Sequence, residues 1–229
     1  MSAHKNVFVG KILARQQAGI LRRFDRSFLM NGETRRKIGP TEGDALVIVD
    51  VQYDFLPGGA LAVPKSDEIL PVLNDYISIF ERRSLPIYMT RDWHPSNHCS
   101  FQEFGGPWPV HCVADTRGAA FSDDLKIKSP TGIVSKATTP ERECYSDFGT
   151  TRFEADLRTA GVSRLFVGGL ATDYCVLNTV KDALRFGFTT FLLRDAIRGV
   201  NVHPDDSQKA EEEMLRLGAT PLELQDLAS

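Results

Sequence analysis

The sequence predicts an α/β fold with three layers, in which a mainly parallel, six-stranded sheet carries helices on both faces. Two observations predict it. From Asp44 onward, apolar runs of strand length alternate with segments of helical period, which is typical of parallel strands joined by crossover helices. The 229 residues are also 42% hydrophobic and 25% charged, an ordinary globular composition with enough chain for one large domain. We therefore expect residues 44–229 to form a single domain.

The predicted strands are apolar runs of the length that buried strands have in parallel sheets. In chain order they are Ala45–Val51, Leu85–Arg91, Gly132–Lys136, Arg164–Gly168, Thr189–Arg194 and Thr220–Leu224.

The predicted helices lie between these runs and end at glycines or at the next turn. Their apolar residues recur at steps of three and four, the spacing that places them on one face of a helix. They are Asp67–Arg83, the short segment Arg152–Ala160, a segment from about Asp173 to Gly187, and Pro204–Leu217.

Residues 1–43 differ from the remainder and are predicted to be a basic N-terminal extension. The bases in this segment are Lys5, Lys11, Arg15, Arg22, Arg23, Arg26, Arg35, Arg36 and Lys37, against the acids Asp25, Glu33 and Glu42. An arginine-rich, acid-poor N-terminus is the composition of a mitochondrial targeting segment, but the same residues could pack on the domain or mediate assembly.

The net charge and the cysteine pattern argue against several classes of protein. A formal net charge of −3 gives no general attraction toward nucleic acid or anionic lipid, and no apolar run approaches the roughly 18 residues that span a bilayer. The cysteines show no C-x-x-C pairing, which argues against a disulfide framework or a cysteine zinc site. They are Cys99, Cys112, Cys144 and Cys175. We expect a cytoplasmic protein, with mitochondrial targeting as the alternative.

Reactive side chains lie at or just after the ends of four predicted strands. Asp50 lies near the end of the first strand, Asp92 follows the second, Lys136 ends the third, and Cys175 follows the fourth. In an open α/β sheet, ligands bind outside the carboxyl ends of the strands, so these groups are expected to share a site. A carboxylate, an ammonium and a thiol are the parts needed to activate a sulfur nucleophile.

Each of these residues also has a structural explanation that involves no chemistry. Asp50 could cap a turn, Asp92 could pair with Arg91, and Lys136 could be an exposed strand end. Cys175 could be a buried, inert cysteine. Its position at a predicted helix start instead favours the thiolate, because the helix dipole stabilises negative charge there.

The long connection after the second strand carries a second group of polar residues. Asp92 and His94 are two residues apart, and His98 and His111 follow in the same connection. Asp and His two apart in an extended segment point the same way, and a distant histidine can complete a set of ligands for a divalent metal. His4 and His203 lack such neighbours and are expected to be surface or structural residues.

Five segments together resemble the nicotinamidases of the isochorismatase-like cysteine hydrolase superfamily. They are residues 45–55 (ALVIVDVQYDF), 91–95 (RDWHP), 108–112 (WPVHC), 135–136 (SK) and 169–176 (GLATDYCV). The likeness runs from about Ala45 to the C-terminus and implies the isochorismatase-like hydrolase fold. The first forty-odd residues depart from it, because the common core of the family lacks them.

The resemblance implies a catalytic triad. Cys175 would be the nucleophile, Asp50 the general base and later acid, and Lys136 the cation that holds both in position. The backbone N–H groups of Ala171 and Cys175 would form the oxyanion hole, with a cis peptide bond before Ala171. The implied reaction is hydrolysis of nicotinamide to nicotinate and ammonia through a thioester, as a step of NAD salvage.

The resemblance also implies one divalent ion per chain, with zinc expected and Fe²⁺ or Mn²⁺ as alternatives. Its ligands would be Asp92, His94 and His111, with His98 behind them, and it would anchor the ring nitrogen of nicotinamide. The substrate-binding residues would be Phe55, Trp108, Tyr145 and Leu170. Nicotinamide is thus the expected partner, and a homo-oligomer is a further possibility.

Two other interpretations are compatible with the sequence. The first is another, metal-independent member of the superfamily, such as an isochorismatase or an amidase acting on a carbamoyl compound. The second is a metal-binding descendant that has lost catalysis, against which stands the joint presence of Asp50, Lys136 and Cys175.

Overall fold

The computed structural model describes residues 37–149 and 151–227. Its sheet confirms the predicted α/β class, with six strands in the order β3-β2-β1-β4-β5-β6 and every neighbouring pair parallel. The strands are β1 (Asp44–Val49), β2 (Ile87–Asp92), β3 (Gly132–Lys136), β4 (Arg164–Leu170), β5 (Thr189–Arg198) and β6 (Thr220–Leu222).

Helices cover both faces of the sheet, as predicted. They are α1 (Ile69–Arg82), α2 (Phe153–Thr159), α3 (Leu177–Arg185) and α4 (Asp206–Leu217). Successive residues of β1 point to opposite faces. Leu46 and Ile48 therefore pack with the apolar face of α1, whereas Ala45, Val47 and Val49 pack with buried residues of the other three helices.

Two elements differ from the predicted ones for local physical reasons. β5 continues to Arg198 rather than ending at Arg194, because a register shift between Val167 and Gly169 of β4 lets the neighbouring strand go on pairing. The segment predicted as one helix from Asp173 begins with a π-helical turn, Thr172–Val176, and only then becomes the α-helix α3.

Most of the predicted N-terminal extension lies outside the described residues. Of residues 1–43, the structure describes those from Lys37 onward. Ile38 forms a parallel bridge with Leu227, and its backbone N–H donates to the carbonyl oxygen of Asp226 at 2.9 Å. Among the described residues, no helix is long and apolar enough to cross a membrane.

The strand order reverses direction at the centre of the sheet. β1 has β2 on one side and β4 on the other, and the chain builds outward from it in both directions. Loops that follow two such strands diverge to opposite faces, which leaves a crevice at their carboxyl ends. The fold therefore provides a binding position at the ends of β1 and β4.

Gly169 allows β4 to approach β1 at this position. Its φ is +120°, and a Cβ atom built on it would lie 2.1 Å from the carbonyl oxygen of Val49. Contact with backbone cannot be relieved by moving a side chain. A larger residue at 169 would therefore separate the two strands whose ends form the crevice.

We predict that Gly169→Ala unfolds or severely destabilises the protein, by more than about 4 kcal/mol, because the added methyl meets the backbone of β1. Gly218→Ala is the matched control, since Gly218 has a similar φ of +114° but no atom within 4 Å of the added Cβ. It should cost only the backbone strain, about 1–2 kcal/mol. Urea unfolding of both variants measures the difference, and equal losses would contradict the proposed close approach.

Candidate active site

A buried ammonium connects the ends of three strands. The Nζ atom of Lys136, the last residue of β3, donates a hydrogen bond to the Oδ2 atom of Asp50 and another, of 2.7 Å, to the Oδ1 atom of Asp92. The side chain of Lys136 is 0% exposed. The possibility that Lys136 is an exposed strand end is therefore wrong.

The electrostatics of this cluster favour a charged lysine. Burial lowers the pKa of Lys136, but the negative charges of Asp50 and Asp92 outweigh it and hold that pKa well above its usual value. Burial also raises the pKa of Asp50, against the opposing effect of Lys136. The cluster thus holds a permanent cation beside a carboxylate that is a stronger base than an exposed aspartate.

Cys175 reaches the same cluster from the other side of β1. It lies in the π-helical turn after β4, and its Sγ atom lies within 4.8 Å of a carboxylate oxygen of Asp50 and of Asp92. Each of Asp50 and Cys175 shifts the pKa of the other: Cys175 lowers that of Asp50, and Asp50 raises that of Cys175. The structure therefore brings the predicted nucleophile, base and cation together.

The thiolate expected at Cys175 is wrong, because the side chain is buried. Its position at a helix start favoured a thiolate, but burial raises the pKa of the Cys175 thiol well above its usual value, and Lys136 offsets this only in part. The resting side chain is thus a neutral thiol beside Asp50. For this sulfur to act as a nucleophile, its proton would have to leave, which requires a neighbouring base.

A candidate metal centre adjoins the cluster. Each of Asp92, His94 and His111 offers a ligand atom, and these atoms all lie within 4.8 Å of one another. The Nδ1 atom of His94 lies 3.2 Å from the carbonyl oxygen of Ala137, and that of His111 lies 2.7 Å from the carbonyl oxygen of Pro109. A carbonyl oxygen can only accept, so both Nδ1 atoms carry the proton and both Nε2 atoms are free to bind a metal.

An orphaned nitrogen supports this assignment. The Nε2 atom of His94 is buried and has no hydrogen-bond partner in the part of the chain that the structure describes; it lies 3.6 Å from the Oδ2 atom of Asp92. Buried polar atoms are normally satisfied, so such an atom requires an explanation. Two imidazoles and one carboxylate fit a divalent transition metal, which would supply the missing partner.

His98 lies behind this group, where the resemblance predicted it. Its ring stacks on that of His94 with 4.2 Å between the ring centroids. Its Nδ1 atom lies 2.7 Å from the hydroxyl of Ser100, and its Nε2 atom lies 3.1 Å from the carbonyl oxygen of Arg142. Both nitrogens are therefore engaged, and the ring supports His94.

A cleft opens above Cys175. Its lining residues are Phe55, Leu61, Asp92, Trp108, His111, Tyr145, Ala171, Tyr174, Cys175 and Val200. Three of the four predicted substrate-binding residues are among them. The fourth, Leu170, is fully buried and packs in the core on the α1 side of the sheet. It does not line this cleft, so its prediction as a substrate-binding residue is wrong. The peptide bond between Leu170 and Ala171 is cis.

The aromatic wall includes one residue that the sequence argument did not single out. The Nε1 atom of Trp108 donates to the hydroxyl of Tyr145 at 3.0 Å, and Tyr174 packs edge-on against Trp108 with 5.0 Å between the ring centroids. Tyr174 precedes Cys175 in the turn, so its adjacency to the nucleophile could have indicated it. Leu61 and Val200 come from distant turns and carried no such signal.

Gln52 is a further residue that was missed. It is fully buried, its Nε2 atom donates to the carbonyl oxygen of Asp92 at 2.8 Å, and its Oε1 atom accepts the N–H of Asp92 at 2.8 Å. This pair of bonds fixes the backbone of Asp92 at the end of β2. Its place in the segment that carries Asp50 was the available signal.

The fold and the polar groups at the carboxyl ends of its central strands are those of a hydrolase with an α/β fold. The chain belongs to the isochorismatase family, because the sequence model of the Isochorismatase domain matches residues 44–226. This confirms the resemblance, and the relatives agree with it. A nicotinamidase of Escherichia coli (strain K12) is 38% identical over 203 residues, covering 80% of this chain and 95% of its own.

Solved structures give the same result. The pyrazinamidase of Pyrococcus horikoshii in complex with zinc has a TM-score of 0.76 at 47% identity, covering 80% of this chain and 99% of its own. PnC1 from L. infantum in complex with nicotinate has a TM-score of 0.78 at 33% identity, covering 84% of this chain and 98% of its own.

We predict that the purified protein holds about one divalent ion per chain. His111→Ala should weaken metal binding at least about 100-fold, because loss of a residue that only supports a ligand already lowers metal affinity roughly 10–100-fold and loss of the ligand itself costs more. His203→Ala is the control, since His203 is exposed. Metal analysis after dialysis, together with chelator competition, measures both. Equal metal content in the two variants would contradict the assignment of the centre.

Proposed function

We propose that this protein is a nicotinamidase, which hydrolyses nicotinamide to nicotinate and ammonia and serves NAD salvage. One observation carries the proposal: Asp92 faces both the ammonium of Lys136 and the imidazole of His94, so a nucleophile cluster and a metal-ligand group adjoin one aromatic cleft. The nucleophile cluster suits attack on a carboxamide carbon, and the metal-ligand group suits binding of a ring nitrogen. The nicotinamidase and pyrazinamidase relatives support the same substrate class.

In the proposed first half-reaction, Cys175 attacks the carboxamide carbon while Asp50 accepts the thiol proton. The new S–C bond produces a tetrahedral oxyanion, for which the backbone N–H groups of Ala171 and Cys175 are the proposed donors. Asp50 then returns the proton to the nitrogen. The C–N bond breaks, ammonia leaves, and a thioester remains on Cys175.

In the second half-reaction, water takes the place of ammonia. Asp50 accepts a proton from this water as its oxygen attacks the thioester carbon. The C–S bond then breaks, the proton on Asp50 returns to the sulfur, and the product leaves as nicotinic acid, which releases its proton to water and becomes nicotinate. Lys136 stays an ammonium throughout and holds the Asp50 carboxylate in place through the bond to its Oδ2 atom.

The ring of the substrate would lie between Phe55, Trp108 and Tyr145, which line the cleft. Asp92, His94 and His111 are the proposed ligands of one divalent ion, with zinc favoured over Fe²⁺ or Mn²⁺. When bound, this ion would supply a coordination position for the pyridine nitrogen. The residues around the cleft would thereby fix the direction in which the carboxamide faces Cys175.

We further propose that the protein acts in the cytoplasm. The structure describes all four cysteines and pairs none of them, which suits a reducing compartment.

We predict that Cys175→Ala abolishes nicotinamide hydrolysis, lowering kcat by at least about 10⁴-fold, because a methyl group cannot form the thioester. Cys99→Ala is the control, since Cys99 is a free cysteine outside the cleft. Ammonia release by metal-loaded protein is the measurement. Residual turnover by the Cys175 variant beyond contaminating wild type would reject the nucleophile assignment.

The ring nitrogen provides a second test. Benzamide has the same carboxamide but no ring nitrogen, so we predict that its kcat/KM is at least about 10³-fold below that of nicotinamide, since a site built to bind a substrate atom loses that whole interaction when the atom is absent. The His111→Ala variant should lose most of this discrimination. Equal turnover of both amides by wild type would favour a metal-independent amidase of the same superfamily.

A further inference from the structure

Asp147 is a buried carboxylate that the proposed mechanism does not use. It lies between β3 and α2 with its side chain 0% exposed, and its Oδ1 atom is 3.9 Å from the Nζ atom of Lys136. Within the described part of the chain, Oδ1 has no hydrogen-bond partner although it is buried. A buried carboxylate oxygen without a partner is costly, so its place beside the ammonium needs a reason.

The other side of the Asp147 carboxylate is fixed by the helix that follows Cys175. The backbone N–H of Asp147 donates to the hydroxyl oxygen of Thr179 at 3.2 Å, and that hydroxyl donates to the Oδ2 atom of Asp147 at 3.1 Å. Thr179 lies on α3, four residues after Cys175. Asp147 is therefore tied to the helix that continues from the turn carrying Cys175, and its Oδ1 atom faces Lys136.

The geometry gives the ammonium of Lys136 three anionic neighbours. Asp50 and Asp92 accept two of its hydrogens, and the third neighbour, Asp147, lies just beyond hydrogen-bonding distance. An ammonium has three donors and no acceptor. When Asp147 is ionised, its negative charge attracts the Lys136 ammonium from a third side. This attraction limits rotation of the ammonium and displacement of Nζ away from Asp50.

Resting on the proposed function, we propose that Asp147 is a positioning residue of the hydrolysis: its carboxylate fixes the Lys136 ammonium, and through it Asp50, in the place that proton transfer from Cys175 requires.

The charge of Asp147 depends on pH in the physiological range. Burial raises the pKa of Asp147 to about 7, against the opposing effect of Lys136. The charged groups that face it are Lys136 from β3 and Asp50 after β1, while α3 and β2 present the hydroxyls of Thr179 and Thr90. Asp147 is neutral below this pKa and ionised above it, so its contribution to positioning is lost as the pH falls through 7.

The test compares the pH dependence of kcat in wild type, Asp147→Asn and Thr179→Val, all as full chains with their metal. Asparagine keeps the size and the acceptor for Thr179 but removes the charge. We expect kcat of Asp147→Asn to match wild type near pH 5.5, where Asp147 is neutral, and to fall about tenfold below it near pH 8.5, with KM within about twofold. The inflection of wild type at about pH 7 should be absent from this variant.

Thr179→Val keeps the carboxylate but removes the hydroxyl that stabilises its charged form. Its inflection should persist and move to higher pH, because losing a hydrogen bond to the charged form raises a carboxyl pKa. Asp195→Asn controls for loss of a structural carboxylate, since Asp195 accepts from Tyr76 and Leu224 in another part of the fold. This control should leave the profile unchanged.

A second measurement separates this proposal from the proposed function. The rate at which iodoacetamide alkylates Cys175, followed by peptide mass, needs no nicotinamide turnover and should show the same inflection in wild type and not in Asp147→Asn. That result supports the positioning role even if nicotinamide is not hydrolysed. A loss of kcat that is uniform across pH, or an unchanged inflection in Asp147→Asn, would overturn it. If Asp147→Asn does not fold, an inflection in Thr179→Val that stays at its wild-type pH overturns it equally.

Discussion

The buried ammonium of Lys136 is the constraint on which the site depends. Removing an ion from water costs several kcal/mol even after relaxation, and only close anionic partners offset this. The ends of β1 and β2 supply these partners as Asp50 and Asp92, and their register with β3 places Asp92 directly opposite Lys136. The three strand ends are thus held together by charge as well as by backbone hydrogen bonds. Asp50, the proposed base, is part of this charge balance, so its position is fixed before any substrate binds.

The topology of the sheet supplies the fourth group. Cys175 comes from the turn after β4, which lies beside β1 because the strand order reverses there. Gly169 brings the two strands into backbone contact at that level. Burial of the resulting site has two opposite effects: it strengthens the attraction between Lys136 and its carboxylates, and it disfavours a thiolate at Cys175. A neutral thiol beside a basic carboxylate is the state that satisfies both.

The sequence alone was sufficient for the fold class and for the residues at the strand ends, because both follow from local patterns. Alternating apolar runs locate β1 to β4, and Asp50, Asp92, Lys136 and Cys175 can be read off their ends. What could not be predicted depends on contacts between distant segments. The burial of Lys136, the extension of β5 opposite a register shift, the inward packing of Leu170 and the approach of Asp147 to the ammonium all require the assembled sheet.

Asp92 joins the two halves of the site. Its Oδ1 atom accepts from Lys136, its Oδ2 atom faces the imidazole of His94, and the side-chain amide of Gln52 bonds both its backbone N–H and its carbonyl oxygen. A carboxylate has two oxygens in one plane, so the direction of the ammonium and the direction of the metal-ligand group are fixed relative to each other by one residue. Under the proposed function, a flat substrate held at its ring by the metal-ligand group would present its carboxamide to the nucleophile cluster at a set distance. Such rigid orientation of two reacting groups is worth several kcal/mol of barrier.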